Sequence, residues 1–171
     1  MAVRQIREYG DPALRQKAAD IAEVDEEIRV LAADMLDTVR DAEGVGLAGP
    51  QVGESRRIIV VHPPPPPDDA GAREAPSVYL NPEVVSKSGP QESAEEGCLS
   101  IPGVYEVVKR PRTVCVKAQD LEGQTVEMEL NGILARIFQH EIDHLDGVLF
   151  VDRIGPMRRA LLKKQLRAFL D

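Results

Sequence analysis

The chain is expected to fold as α+β, with antiparallel strands packed around a central helix that carries His140-Glu141-Ile142-Asp143-His144. N-terminal helices precede the strands and a C-terminal helix closes the chain. Three observations lead there. Helical periodicity near the N-terminus gives way to a middle stretch rich in β-branched residues and turns, and the helical period then returns toward the C-terminus. Helices and strands thus occupy separate stretches, which favours α+β over alternating βαβ units. At 171 residues the length suits one domain, 1–171, and neither a repeat nor a linker divides it. Apolar residues make up 43% and aromatics only 4%, with no Trp, so the core is expected to be aliphatic.

Each element has a local reason. Over 25–40, Ile28, Leu31, Ala32, Met35 and Val39 share one helical face, Asp25 is placed to cap it, and Gly44 and Gly46 end it. Residues 57–61 read as a strand. Five prolines come next, Pro63 to Pro67; lacking amide hydrogens they cannot form a central strand, and they predict a polyproline-II spacer of roughly 15 Å in a loop ending near Pro76. A ligand for a Pro-binding partner is the less favoured reading of this tract. Short strands are expected at 78–80, 84–85, 104–108, 114–118 and 126–130, separated by Pro, Gly and Asp turns. Helices are expected over 132–145 and 156–170, the latter with Pro156 in its first turn.

Charge narrows the function. Acidic residues outnumber basic ones 29 to 21, for a net charge of −8 and a pI near 5.0, which argues against a dedicated DNA or RNA binder. The C-terminal stretch differs: Arg158, Arg159, Lys163, Lys164 and Arg167 face a single acid, Asp171. Charges break up the N-terminus, no apolar run has membrane-spanning length, and only Cys98 and Cys115 occur. A cytoplasmic protein with reduced thiols is expected, and nothing demands more than a monomer.

The most specific motif is H-E-x-x-H at 140–144. On a helix, positions 133, 137, 140, 141 and 144 fall in one stripe, so both imidazoles and the Glu141 carboxylate project together while Leu134, Phe138, Ile142 and Leu145 anchor the other side. Two histidines one turn apart can hold a metal, with a carboxylate beside them to take a proton from water. A third ligand is needed. Position 150 is Phe150 where an extended H-E-x-x-H-x-x-G-x-x-H motif would place histidine, and no glutamate follows Glu141. Asp146 and Asp152 are weak downstream candidates; His62, Cys98 and Cys115 lie upstream. Cys98 is the best of these, in the Gly- and Pro-shaped segment Glu96-Gly97-Cys98-Leu99-Ser100-Ile101-Pro102. Cys115 reads as a buried strand thiol, and His62, beside the prolines, as exposed.

Gly44-Val45-Gly46-Leu47-Ala48-Gly49-Pro50-Gln51 contains G-x-G-x-x-G, but a helix precedes it and Pro50 interrupts the chain beyond it, so a dinucleotide fold is excluded. The glycines instead allow close backbone approach to a peptide or a metal ligand, with Gln51 offering an amide.

These three segments, in this order, resemble the peptide deformylase family, whose patterns are G-x-G-x-A-A-x-Q, E-G-C-L-S and Q-H-E-x-D-H. The likeness runs through nearly the whole chain. Gly49 departs from the pattern, standing where the family has its second alanine, and is expected to loosen that loop; the stretch 63–76 looks like an insertion. The resemblance implies a divalent metal on Cys98, His140 and His144: ferrous iron in many members, with zinc, nickel or cobalt able to substitute. It implies removal of formyl from N-formylmethionyl nascent peptides, with Glu141 moving the proton and Gln51 and the Leu99 amide stabilising the oxyanion. Val45, Gly46 and Gly97 would pair with the peptide backbone. Ile133 and Ile137 would line the methionine pocket, with Arg136 at its entrance. For such an enzyme the basic C-terminal helix offers a contact to the ribosome. Two alternatives stand beside this reading: an H-E-x-x-H endopeptidase, and a metal-stabilised binding module without catalysis.

Overall fold

The computed structural model describes residues 2–171. Asp11 caps one turn of 3-10 helix, Pro12–Arg15, and the N-terminal helical content otherwise lies in α1, Glu26–Asp41. The Asp25 carboxylate accepts the Ile28 N–H at 2.9 Å, closing the N-terminus of α1. Glu26 and Glu27 in its first turn and Arg40 in its last suit the helix dipole. The helix stops where the Gly44 N–H turns back onto the Val39 carbonyl at 2.9 Å.

Five strands come after it: β1 (Gly46–Ala48), β2 (Ile58–Val61), β3 (Ser77–Cys98), β4 (Ile101–Gln119) and β5 (Thr125–Asn131). They lie side by side in chain order, all antiparallel. Segments expected as short separate strands therefore merge into the long β3 and β4. The turn-forming residues Pro82, Gly89 and Pro90 are absorbed as register shifts between Leu80 and Glu83 and between Ser88 and Gln91.

All four residues of β2 are buried, because the sheet is covered on both faces here. Ile58 and Val60 pack with α1 through Leu31, Met35 and Val39. Ile59 and Val61 pack on the opposite side with Phe138, Ile142 and Leu145 of α2 (Gly132–Leu145). A third cluster, including Leu14, Ile101, Val108 and Phe150, receives Leu162 and Leu166 of α3 (Pro156–Arg167), the buried residues of that helix.

Two thiol and imidazole expectations are corrected. Cys115 is half-buried, because strand alternation turns Val114 and Val116 into the core and Cys115 outward, its Sγ 3.5 Å from Glu127. His62 is only 8% exposed, since the returning limb of the 62–76 connection folds over it. Gly49 begins a second 3-10 turn, Gly49–Val52. A methyl group there would meet the Arg56 carbonyl oxygen at 2.6 Å and the Glu54 carbonyl oxygen at 2.8 Å. The loop is thus not loosened at Gly49; residues 54–56 close onto the space an alanine would use.

Candidate metal centre

Cys98 ends β3 at a tight hairpin, where it pairs with Ile101 across Leu99 and Ser100. This tip brings the thiol to the buried stripe of α2. Cys98 Sγ lies 3.4 Å from His144 Nε2, and among the described residues Cys98, His140 and His144 form the group able to hold a metal, their donor atoms within 4.8 Å of one another. A tetrahedral ion with ordinary metal–sulfur and metal–imidazole bonds would separate those donors by about 3.5 Å, so the set fits a single divalent cation. The other candidates are engaged elsewhere: Asp146 with Arg57, and Asp152 with Arg15 and the Leu149 N–H.

The histidines are held differently. The His140 ring stacks near Phe150, and its Nδ1 lies 2.9 Å from Glu96 Oε1. Burial opposes charge on His140, but its contacts with Cys98 and Glu96 outweigh that and raise its pKa well above the usual value. For His144, burial and then the neighbouring His140 push the pKa well down, and its Nδ1 meets no hydrogen-bond partner among the described residues.

Glu96 is the residue whose role sequence reasoning missed. Besides His140 it accepts from Arg110 Nε at 2.6 Å and Nη2 at 3.0 Å, and from Arg136 Nη1 at 2.6 Å. Burial works against its charge, yet these hydrogen bonds hold its carboxyl well below the usual carboxylate range. Arg110 in turn donates to Asp143 at 2.9 Å, and Arg153 to the same carboxylate at 2.8 Å. The available signal was an acid two residues before the candidate ligand; its partners on β4 and α2 are invisible in local sequence. Arg136, expected at a pocket entrance, also donates to the carbonyls of Val108 at 2.9 Å and Glu92 at 2.8 Å.

Glu141 lines the same cleft as Cys98 and His140, its Oε2 buried and unpartnered among the described residues. Burial pushes its carboxyl up to about 7, with His140 opposing and Glu96 adding to the rise. Gly46 makes room for it: a Cβ there would lie 2.6 Å from Glu141 Oε1. The Gln51 side chain is fixed at both ends. Its Oε1 accepts the Ala48 N–H at 2.9 Å, and its Nε2 lies 3.1 Å from Ser100 Oγ and 3.5 Å from Cys98 Sγ.

A cleft of about 470 Å³ opens beside these groups. Every sequence-derived site residue lines it except His144, which is almost fully buried: Glu141, Gln51, Leu99, Cys98, His140, Val45, Gly46, Gly97, Ile133, Arg136 and Ile137. Ile137 is buried, whereas Ile133 is 60% exposed at the rim. Strand β1 borders the cleft and, among the described residues, pairs with β2 alone, leaving its other edge open. A larger groove of about 790 Å³ uses other residues of α2, among them Gln139, Ile142 and Asp143, and contains none of the three donors.

A buried carboxylate beside two histidines and a cysteine, opening on a cleft with a free strand edge, defines a metal-dependent hydrolase. The family model "Polypeptide deformylase" matches residues 3–160. A peptide deformylase of Thermomicrobium roseum is 56% identical over 154 residues, covering 90% of this chain and 87% of that protein. The crystal structure of a peptide deformylase from Legionella pneumophila superposes with a TM-score of 0.86 at 43% identity, over 98% of this chain and 95% of that one. For the peptide deformylase from Thermus thermophilus the TM-score is 0.85 at 42% identity, over 98% and 97%. The chain belongs to the polypeptide deformylase family. No helix among the described residues is long and apolar enough to cross a membrane.

Proposed function

We propose that this chain removes the formyl group from N-formylmethionine at the start of nascent polypeptides, releasing formate, with residues 1–171 serving as one catalytic unit. The carrying observation is the convergence of Cys98, His140 and His144 beside Glu141 at the floor of a cleft bordered by an open strand edge. Cys98, His140 and His144 would hold one divalent metal, which when bound acidifies water and polarises the formyl carbonyl. Family resemblance favours ferrous iron; the donor types also suit zinc, nickel and cobalt.

The chain's own residues do the rest. Glu141 accepts a proton from the attacking water and returns it to the departing amine, as the carbon–oxygen bond forms and the carbon–nitrogen bond breaks. Burial pushes this carboxyl upward, toward the range in which one group can both take and return a proton, and beside a bound cation it would be drawn back toward the carboxylate. The Gln51 Nε2–H and the Leu99 N–H donate to the formyl oxygen as it gains charge, and the Ala48 and Ser100 contacts keep the Gln51 amide from rotating away. The peptide adds along the free edge at Val45 and Gly46, with Gly97 on its other side. Ile133 and Ile137 receive the methionine side chain. Arg136 acts on this site through Glu96.

The test pairs metal analysis of protein purified without oxygen with assays on the same sample. Formate release from a formyl-methionyl dipeptide, in proportion to bound iron, is expected. Cleavage of unformylated casein without formate release would replace this reading with that of an endopeptidase.

We further infer that α3 contacts the ribosome. It is held to the body by Leu162 and Leu166, while Met157 and Leu161 are exposed beside Lys163, Lys164 and Arg167. Co-sedimentation with ribosomes should fall as salt rises and when α3 is deleted; binding indifferent to both would remove the inference.

A further inference from the structure

The proline-rich connection 62–76 joins β2 to β3, and neither the metal centre nor the fold core accounts for it. Pro63 to Pro65 are half-buried and Pro66 and Pro67 exposed, after which the Asp69 N–H bonds to the Pro66 carbonyl and the chain turns back. The returning limb carries Arg73, whose guanidinium donates to three carbonyl oxygens. Nε reaches Pro63 O at 3.0 Å, and Nη2 reaches His62 O at 3.0 Å and Gly44 O at 2.9 Å. Two of these tie the connection to itself. The third ties it to the segment that becomes β1.

That segment is short of anchors. Gly44 is held by its N–H on Val39 O, and Val45 by its carbonyl accepting the His62 N–H at 2.8 Å, before β1 pairs Gly46 with Val61. Gly44 also meets the opposite wall of the cleft: a Cβ on it would lie 2.8 Å from Leu99 Cδ1. The two walls therefore come close together at Gly44, where Arg73 grips. Beside it, His62 is buried with an Nδ1 unpartnered among the described residues, and burial and then Arg73 hold its imidazole below the usual range.

We propose that Arg73, presented by the proline-rich connection, is a positioning residue for peptide recognition, fixing Gly44 to Gly46 as a rigid edge against which the substrate backbone pairs. The prolines fit this role. Chain with restricted backbone torsions loses less entropy when it presents one side chain at a fixed point. The inference rests on the edge-pairing reading proposed for the substrate and assigns that edge a support from outside the three motifs.

The test compares Arg73→Met and Arg73→Lys with the wild-type holoenzyme on formyl-methionine alone and on formyl-methionyl tri- and tetrapeptides. For the longer peptides Arg73→Met should raise KM by about five- to tenfold with little change in kcat, and for formyl-methionine alone KM should barely move. Arg73→Lys, which keeps the charge but loses the fork that reaches three carbonyls, should fall between. Amide exchange in the Arg73→Met protein should quicken at Val45 and Gly46 and stay unchanged around His140 and His144. If wild-type KM does not depend on peptide length, edge pairing itself fails, visibly without any variant, and this proposal fails with it. If wild type depends on length and both variants behave as wild type, or lose kcat equally on every substrate, the Arg73 proposal alone is overturned.

Discussion

Glu141→Ala should lower kcat by about 10³-fold while leaving the bound metal in place, because the role proposed for the carboxylate is to move protons and it is not among the three donors. The three donor atoms converge without it, and Glu96 and Phe150 hold His140 independently of it. Metal content by elemental analysis and formate release on the same preparation check both halves; retained turnover would remove the assigned role. A stability signature accompanies the kinetic one. The folded-state pKa of Glu141 is raised from 4.5 to about 7, so folding favours its protonated form. In metal-free wild type, stability should therefore decline as pH rises from about 4.5 through about 7. Metal-free Glu141→Ala should lack that decline, read as urea midpoints across the range.

Glu96→Ala should be the most damaging single change to stability. It would leave the largely buried Arg136 guanidinium without its carboxylate, leave Arg110 with Asp143 alone, and free the Nδ1 side of His140. Removing one partner of a buried charge cluster costs about 3–5 kcal/mol, and loss of a group that orients a metal ligand weakens metal binding about 10–100-fold. Urea denaturation and competition with a chelator measure the two effects; a variant matching wild type in both would show that Arg110 and Arg136 are satisfied without Glu96. Here the pH sign runs the other way. The folded-state pKa of Glu96 is depressed, so its contribution is fully present above about 4.5 and is lost as pH falls below that value. Wild type should weaken more steeply than the variant on that acid side.

What the sequence made legible was local. Asp25 before an apolar stripe predicted the cap and the buried face of α1, and the 3.6-residue spacing placed His140, Glu141 and His144 together on α2. Cys98 could be singled out because Gly97 and Pro102 bracket it in a shaped turn. The misses depended on partners distant in sequence. Pro82, Gly89 and Pro90 read as strand ends, but pairing with β4 carries the chain through them as bulges. His62 read as exposed because nothing local reveals that Arg73 and the returning chain cover it. Arg136 read as a residue of the pocket entrance and does line the cleft, but its bond to Glu96, forty residues away in sequence, is visible only in the fold.

The near contact between Gly46 and Glu141 sets a short ruler inside the molecule. Because no side-chain carbon stands between the strand backbone and the carboxylate, nothing at position 46 holds the two apart. Under the proposed edge pairing, a peptide aligned along β1 would have its first residue registered against the helix in a single step. Tolerance for the later residues of the peptide would then carry no penalty in accuracy at the bond to be broken.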